Sequence, residues 1–397
     1  MPTELALPRV TYDQRWAELR DFLAAQALDC ALILGPEAQY WLCGYDTFLG
    51  AVLPQALIFP ANGAAPVLAV WDADVAIARQ TSLIGDIRTY RFGVDAPAEV
   101  FAALAREMTG SVGRIGLDLT SHTLPYGFGA ELVDRLAGVG VVAGVGVGVG
   151  VVDIAPDLAA LRQIKTPEEL ALMRKAGACG AQGLAAAAER IRPGMTEIAL
   201  AAEIEYAMRR AGSDYPATPA ELASGPRSVQ GHGTPGDRVL APGDLVHIEI
   251  GGAARRYHAV AIQTMVVPGA PPPPGAEALY DLARACLQRG LAQLGPGVAA
   301  AEVEAPALEL LRAAGGGDNF KMRFGYGVGI GYPPSWLEPL KITRTSTDVL
   351  TPGTCFVLHA CLLDAAAELG VLVGGTYAIT ESGYEMLAGA GDVDLLC

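Results

Sequence analysis

The sequence holds no C-x-x-C pair of the kind that binds zinc or a redox disulfide. Its seven cysteines (Cys30, Cys43, Cys179, Cys286, Cys355, Cys361 and Cys397) are odd in number and scattered, and they read as reduced thiols of a cytosolic protein. Basic clusters are missing too: 28 Lys and Arg stand against 43 Asp and Glu, a net charge of −15, and no stretch gathers cations into a face that would neutralise phosphates. Nucleic acid is thereby excluded as a partner. Met1 to Leu5 carry no basic segment followed by an apolar run, so no secretion signal is read. The longest uncharged stretch, Leu136 to Val152, alternates valine with six glycines, and glycine both disfavours helix and adds little apolar area. A membrane span is excluded with it, and a cytoplasmic location is expected.

What is present is apolar material for two cores. A chain of 397 residues with 51% hydrophobic content exceeds one ordinary domain. From Tyr12 to Leu28 the pattern is amphipathic and helical, and the apolar run Cys30 to Leu34 after it suits a buried strand. Further runs at Gln55 to Phe59, Pro66 to Trp71 and Arg114 to Leu117 alternate with Ala-rich helical stretches at Val75 to Arg79 and Ala98 to Met108. That alternation predicts a small α/β domain over 1–156. The Val-Gly tract leads to a second domain, 157–397. Its first clear helix opens at Thr166-Pro167-Glu168-Glu169, with an N-cap, a proline at the first helical position and a carboxylate that closes a capping box.

The second domain repeats itself. Pro193-Gly194 precedes an amphipathic helix ending at Gly212, and Pro296-Gly297 precedes another ending at Gly315, the interval from Pro to Gly being 19 in both. A polar residue between glycines follows each helix, His232 in one copy and Tyr326 in the other. Val239-Leu240-Ala241-Pro242-Gly243 then leads into a strand from Asp244 to Ile250, and Val349-Leu350-Thr351-Pro352-Gly353 into one from Thr354 to Ala360. Seven residues after each proline a polar side chain interrupts the apolar strand, Glu249 and His359 respectively. Two such half-domains pack about a pseudo-twofold axis with their strands meeting in the middle, so His232, Glu249, Tyr326 and His359 are expected to converge.

The run Ala223-Ser224-Gly225-Pro226-Arg227-Ser228, the run His232-Gly233-Thr234-Pro235 and the stretch Val239 to Ile250 resemble the centre of the creatinase, prolidase and aminopeptidase P family. Leu161 to Glu169 resembles the start of its catalytic domain. Within the family, Glu249-Ile250-Gly251-Gly252, Arg256-Tyr257-His258-Ala259 and Gly331-Tyr332-Pro333-Pro334-Ser335-Trp336-Leu337-Glu338 are most similar to the ectoine hydrolase branch, and His232 matches the catalytic histidine of creatinase. The resemblance implies the pita-bread fold for the second domain, a duplicated antiparallel sheet flanked by helices, behind an α/β first domain. It also implies a homodimer in which Tyr45, Asp46 and Phe48 from the first domain of one subunit cover the site of the other. Metal peptidases of this family hold two divalent ions through two Asp, one His and two Glu, and the corresponding positions here are Glu249, Val260, Tyr326, His359 and Gly374. Divalent ions need several anionic or imidazole ligands about one point, so no metal and no other cofactor is expected, and the enzyme is placed outside the metallopeptidases.

His232 is the candidate acid-base group, since imidazole alone titrates near neutrality without perturbation; otherwise it is a structural loop histidine. Glu249 is read as a buried carboxylate that orients His232 or holds a substrate cation, or else pairs with Arg255 or Arg256. Tyr326 donates to a developing oxyanion or packs with a wet hydroxyl; His359 assists or is a core histidine. Tyr257 and His258, by the resemblance, line the pocket, while Tyr332, Trp336 and Glu338 supply an aromatic wall and one negative charge for a small cationic ligand. His247 reads as structural, and His122 is assigned nothing. The expected activity is metal-independent hydrolysis of a C–N bond in a small polar nitrogen compound, a cyclic amidine or guanidino acid among them. A lyase, cyclase or isomerase acting in the same pocket and a non-catalytic ligand-binding relative are the alternatives. Gln263, in place of an expected Arg, and Gly374 or Gly375, in place of an expected acid, count against ectoine itself.

Overall fold

A computed structural model of the chain describes residues 5–109, 114–137, 150–389 and 395. The chain divides into two units, Met1–Arg162 and Gln163–Cys397. The division falls six residues beyond the expected 156/157 because Ala155–Gln163 is a single helix. Most of the Val-Gly tract, residues 138–149, lies outside the described residues.

The first unit runs α1 (Arg9–Ala25), β1 (Cys30–Ile33), α2 (Pro36–Cys43), β2 (Ala56–Pro60), β3 (Val67–Trp71), α3 (Val75–Thr81), β4 (Asp86–Tyr90), α4 (Pro97–Thr109), β5 (Ile115–Leu117), α5 (Tyr126–Ala137), β6 (Val151–Asp153) and α6 (Ala155–Gln163). Its six strands are ordered β4-β3-β2-β1-β5-β6. Continuous apolar runs become β1, β2 and β3 because these strands are covered by protein: Cys30 to Ile33 and Ala56 to Pro60 are buried throughout. Leu32, Ile58, Phe101 and Leu132 meet in its core. The polar strand β4 had no such signal: of its five residues only Tyr90 is buried.

The second unit continues with α7 (Pro167–Arg190), α8 (Glu197–Arg210), β7 (Glu221–Ser224), β8 (Leu245–Ala254), β9 (Tyr257–Val266), α9 (Ala276–Leu291), α10 (Ala300–Ala313), β10 (Gly325–Tyr332), β11 (Ser335–Ile342), β12 (Cys355–Asp364), β13 (Leu369–Thr380) and β14 (Gly383–Gly389). The capping box forms: Thr166 N–H donates to Glu169 Oε2, and Glu169 N–H to Thr166 Oγ1, a cap that contributes about 1 kcal/mol. The sheet order is β11-β10-β12-β13-β9-β8-β7, with β14 on β13. A further pairing of Ile330 with Tyr257 joins β10 to β9 and closes the sheet on itself.

The duplication is written into the hydrogen bonds. Gly194 N–H donates to the carbonyl of Leu240 and Gly297 N–H to that of Leu350; Leu240 N–H returns to Met195 and Leu350 N–H to Val298. Thr196 bridges Val239 as Ala299 bridges Val349. Each Pro-Gly turn thus clamps its helix to the strand that follows, and the two hairpins β8–β9 and β12–β13 meet where Ile262 pairs with Gly374. One difference breaks the match: Tyr326 lies within β10, whereas His232 lies in a turn before β8.

Candidate active site

In an antiparallel ladder, residues directly opposite one another project from the same face. Glu221 faces Glu249, Glu249 faces Ile262, Ile262 faces Gly374 and Gly374 faces His359. These five form one row across five strands. Tyr326 pairs with Val357, two residues before His359, and so shares that face. The other face is spent on packing: Ile248 and Ile250 lie in one apolar cluster and Leu358 and Ala360 in another.

At the centre of the row, Tyr326 Oη donates to Glu249 Oε1 at 2.6 Å and accepts from Trp336 Nε1 at 3.3 Å. Glu249 is buried, and burial pushes its carboxyl up to about 7, with the charge of Glu221 adding and the Tyr326 bond opposing. Burial also raises Glu221 to about 7. The Tyr326 phenol is held well above its ordinary value by burial and by Glu249. The His359 ring lies 5.8 Å from that of Tyr326. It is buried, lacks a hydrogen-bond partner on either nitrogen among the described residues, and is pushed down to about 4 by burial and then by Arg323, so it is neutral at pH 7.

His232 is exposed, in a turn whose Gly231 rests against Met322, Leu363 and Cys361. It lies within electrostatic reach of both Glu249 and His359, on the exposed side of the row. Arg323 is exposed, with its guanidinium 5.1 Å from the Tyr326 ring centroid.

The remaining expected residues are engaged as follows. Tyr257 Oη donates to Glu169 Oε1 at 2.8 Å, tying β9 to α7. His258 has Nε2 2.9 Å from the N–H of Ala217 and Nδ1 2.8 Å from the carbonyl of Arg256; Nε2 accepts, Nδ1 donates, and the neutral tautomer is fixed. Burial lowers it to about 4. Glu338 forms a buried ion pair with Lys165, so its charge is neutralised within the protein and is not offered to a cation as expected. Tyr332 is fully buried, 4.8 Å beneath the Arg256 guanidinium. The alternative pairing of Glu249 with Arg255 or Arg256 does not form: Arg256 lies between Tyr215 and Tyr332. Gln263 faces away from the row, toward α9, where it donates to Tyr280. In the first unit, Tyr45 Oη is buried on Gln55 and Asp74, the Asp46 N–H donates to Thr81, and Phe48 is 60% exposed.

Sequence reasoning passed over Glu221, Arg323 and Lys165. Glu221 reads as the first residue of a short strand, and only the register with Glu249 brings it to the row.

The donor set of this face does not fit a metal ion. Between Glu249 and His359 the row offers Ile262 and Gly374, a Cβ at Gly374 would come within 2.5 Å of the His359 Cβ, and no group of three or more His, Cys, Asp or Glu among the described residues is placed to hold an ion.

Residues 171–383 match metallopeptidase family M24, and residues 15–164 match the creatinase/prolidase N-terminal domain. An Xaa-Pro dipeptidase of Pyrococcus furiosus is 32% identical over 227 residues, 57% of this chain and 63% of that protein, so the match spans less than two thirds of that relative. An ectoine hydrolase of Halomonas elongata is 33% identical over 238 residues, 57% of this chain and 58% of that protein. The prolidase structure of Thermococcus sibiricus superposes with a TM-score of 0.84 at 21% identity, covering 97% of this chain and 99% of that one, a likeness of fold. These matches overturn two expectations, an enzyme outside the metallopeptidases and metal independence: the chain belongs to a metallopeptidase family, and its relatives include Xaa-Pro dipeptidases.

Proposed function

Because the chain belongs to metallopeptidase family M24, we propose that it is a hydrolase cutting the amide C–N bond of a short peptide-like molecule on the inner face of its pita-bread sheet. Two relatives carry the names Xaa-Pro dipeptidase and ectoine hydrolase, and cleavage of a C–N bond is common to both. The observation that carries the reading is the buried Trp336–Tyr326–Glu249 chain of hydrogen bonds, placed where the two half-domains meet. A carboxyl group held near 7 takes or gives a proton at neutral pH. Tyr326 holds one of its oxygens and leaves the other for water or substrate, and Trp336 orients the phenol. His232, on the exposed side of the row, moves a proton between site and solvent. No step is assigned to a metal, because the residues present do not form its cradle.

The six buried free cysteines among the described residues suit a cytoplasmic setting. Among the described residues no helix is long and apolar enough to cross a membrane. Exposed Phe48 and Val52 support the dimer in which the first domain covers a partner's site.

The test is a chromatographic assay of Xaa-Pro dipeptides and ectoine, with and without added Mn²⁺, Co²⁺ or Zn²⁺, using the wild type, Glu249→Gln and Tyr326→Phe. Cleavage that falls by a factor on the order of 100 in either variant supports the reading, general acid-base groups contributing about that much. Cleavage unaffected by both variants, or no cleavage under any condition, overturns it.

A further inference from the structure

A cavity of about 320 Å³ lies in the second unit between the C-terminal end of α8, the loop 213–219 and the β10–β11 turn, and none of the residues lining it belongs to the row. α8 packs on the opposite face of the sheet from Glu249: its Leu200, Ile204 and Met208 cluster with Ile248 and Ile250. Met208, Pro216, Pro219 and Pro333 give the cavity an apolar wall, and the fixed φ of each proline makes that wall stiff. Glu205, Arg209 and Asp214 bring charge to it. Arg209 is exposed and reaches the Ser213 carbonyl at 3.4 Å, a long bond that occupies one of its several donors. Asp214 takes the Arg255 N–H on Oδ2, which leaves its charge in place.

Arg256 ties the two lips of this cavity together. Its guanidinium lies 4.2 Å from the ring centroid of Tyr215 and 4.8 Å from that of Tyr332, the residues that precede Pro216 and Pro333, and its carbonyl accepts from the Gly331 N–H at 3.0 Å and from His258 Nδ1 at 2.8 Å. Ala217, in the cavity wall, donates its N–H to His258 Nε2 at 2.9 Å. The His258 ring lies 6.2 Å from that of Trp336, whose Nε1 donates to Tyr326, which in turn donates to Glu249. The cavity wall is thus joined to the acid of the row by an unbroken series of packed and hydrogen-bonded groups, the kind of connection through which two sites bias one another.

We propose that this cavity is an effector site for a compact zwitterion, an α-amino acid with a short apolar side chain, whose carboxylate pairs with Arg209, whose ammonium pairs with Asp214 and whose side chain rests on the proline wall. A plain anion would meet Asp214 and Glu205 there and a plain cation would meet Arg209, whereas a molecule with both charges pairs with both. The volume stands at the lower end of small-molecule sites, which begin at roughly 300 Å³, so the apolar body between the charges is small. Occupancy fixes the spacing of the loop 213–219 from the β10–β11 turn, and through Ala217 and His258 the setting of Trp336 over the row. The proposal goes beyond the hydrolase reading and does not rest on it, since binding and the state of Trp336 are both read without turnover.

Calorimetry at pH 6.5 with L-valine, N-acetyl-L-valine and L-valinamide tests it, on the wild type, Arg209→Gln and Glu249→Gln. The expected result is L-valine bound at least about ten-fold more tightly than either blocked analogue, each of which lacks one charge-assisted pair. Arg209→Gln, a change at an exposed position, is expected to weaken L-valine about ten-fold and bring it level with L-valinamide, while Glu249→Gln leaves all three affinities as they were. The second readout is fluorine NMR of protein labelled with 5-fluorotryptophan: of the four tryptophans Trp336 alone belongs to the second unit, and its resonance, assigned through Trp336→Phe, is expected to shift on saturation with L-valine in the wild type and to stay in place in Arg209→Gln at the same concentration. Equal affinity for the three probes in the wild type overturns the proposal, and this arm needs no variant to fold. So does an Arg209→Gln protein that binds L-valine as the wild type does. Binding abolished in Glu249→Gln and kept in Arg209→Gln would move the amino acid to the catalytic row and sink the proposal as well. A Trp336 resonance unmoved at saturation would refute the link between the cavity and the row.

Discussion

Replacing Glu249 with glutamine is expected to stabilise the protein at pH 8 and leave its stability unchanged at pH 4.5. Burial lifts the Glu249 carboxyl from 4.5 to about 7, so the folded protein keeps this proton to higher pH than the unfolded chain does. Below pH 4.5 both states are protonated and the group contributes no difference. Between 4.5 and 7 the unfolded chain releases the proton first, and stability falls as pH rises. Above 7 the loss levels off. The difference between 7 and 4.5, at 1.36 kcal/mol for each tenfold, sets a ceiling on the order of 3 kcal/mol. Glutamine keeps the shape, still accepts from Tyr326 and does not titrate. His247, His258 and His359, each lowered by burial from 6.5 to about 4, give the opposite slope: their contribution is present above 6.5 and lost as pH falls toward 4. They are the same in both proteins and cancel in the comparison. Urea midpoints of wild type and variant at pH 4.5, 6, 7 and 8 read the effect, with the gap opening in the variant's favour. A variant less stable than wild type at pH 8, or a gap that does not change with pH, refutes the claim that this carboxyl is strained by burial.

Two further substitutions probe the frame of the row. In Gly374→Ala the new Cβ meets His359 Cβ and the Leu358 carbonyl, each at 2.5 Å, so thermal unfolding is expected to show a loss of about 1–3 kcal/mol from overpacking; adding His359→Gly, which removes that Cβ, lessens the penalty of Gly374→Ala measured against His359→Gly alone, and an unchanged penalty would mean that the backbone contact alone is at fault. Lys165→Met strands the buried Glu338 carboxylate and is expected to cost about 3–5 kcal/mol in denaturant unfolding, most of it regained in Lys165→Met/Glu338→Gln; a harmless single substitution would show that Glu338 is free to face a ligand after all.

The parts of the fold that were legible in the sequence are those fixed by local chemistry. Thr166, Pro167 and Glu169 are a complete helix start whatever surrounds them, and the Pro-Gly turns at 193 and 296 fix the clamps that reveal the duplication. The apolar runs at β1, β2 and β3 announce burial. β4 has no apolar run to announce it, and α6 crosses the expected domain boundary because the chain continues as helix through Pro156. Proline is tolerated in the first turn, where its missing N–H is not needed.

The site divides along the same line. Glu249 and His359 were legible because each is a polar interruption at the same place in two copies of one motif, a local fact. Glu338 looked equally available by its neighbours in sequence, yet its partner Lys165 is 173 residues away. Tyr257 and His258 were read from a motif as pocket lining, yet their hydrogen bonds go to Glu169, Ala217 and Arg256, groups brought to them by the helix layer and a distant loop. Glu221 has the reverse history. Nothing in Glu221-Leu222-Ala223-Ser224 distinguishes its carboxylate from any acid at a strand end, and a slip of one residue in the β7–β8 register would turn it to the opposite face. What a side chain faces across a sheet is a property of pairing, so the charge of this site, unlike the identity of its central acid, was settled only by strands meeting.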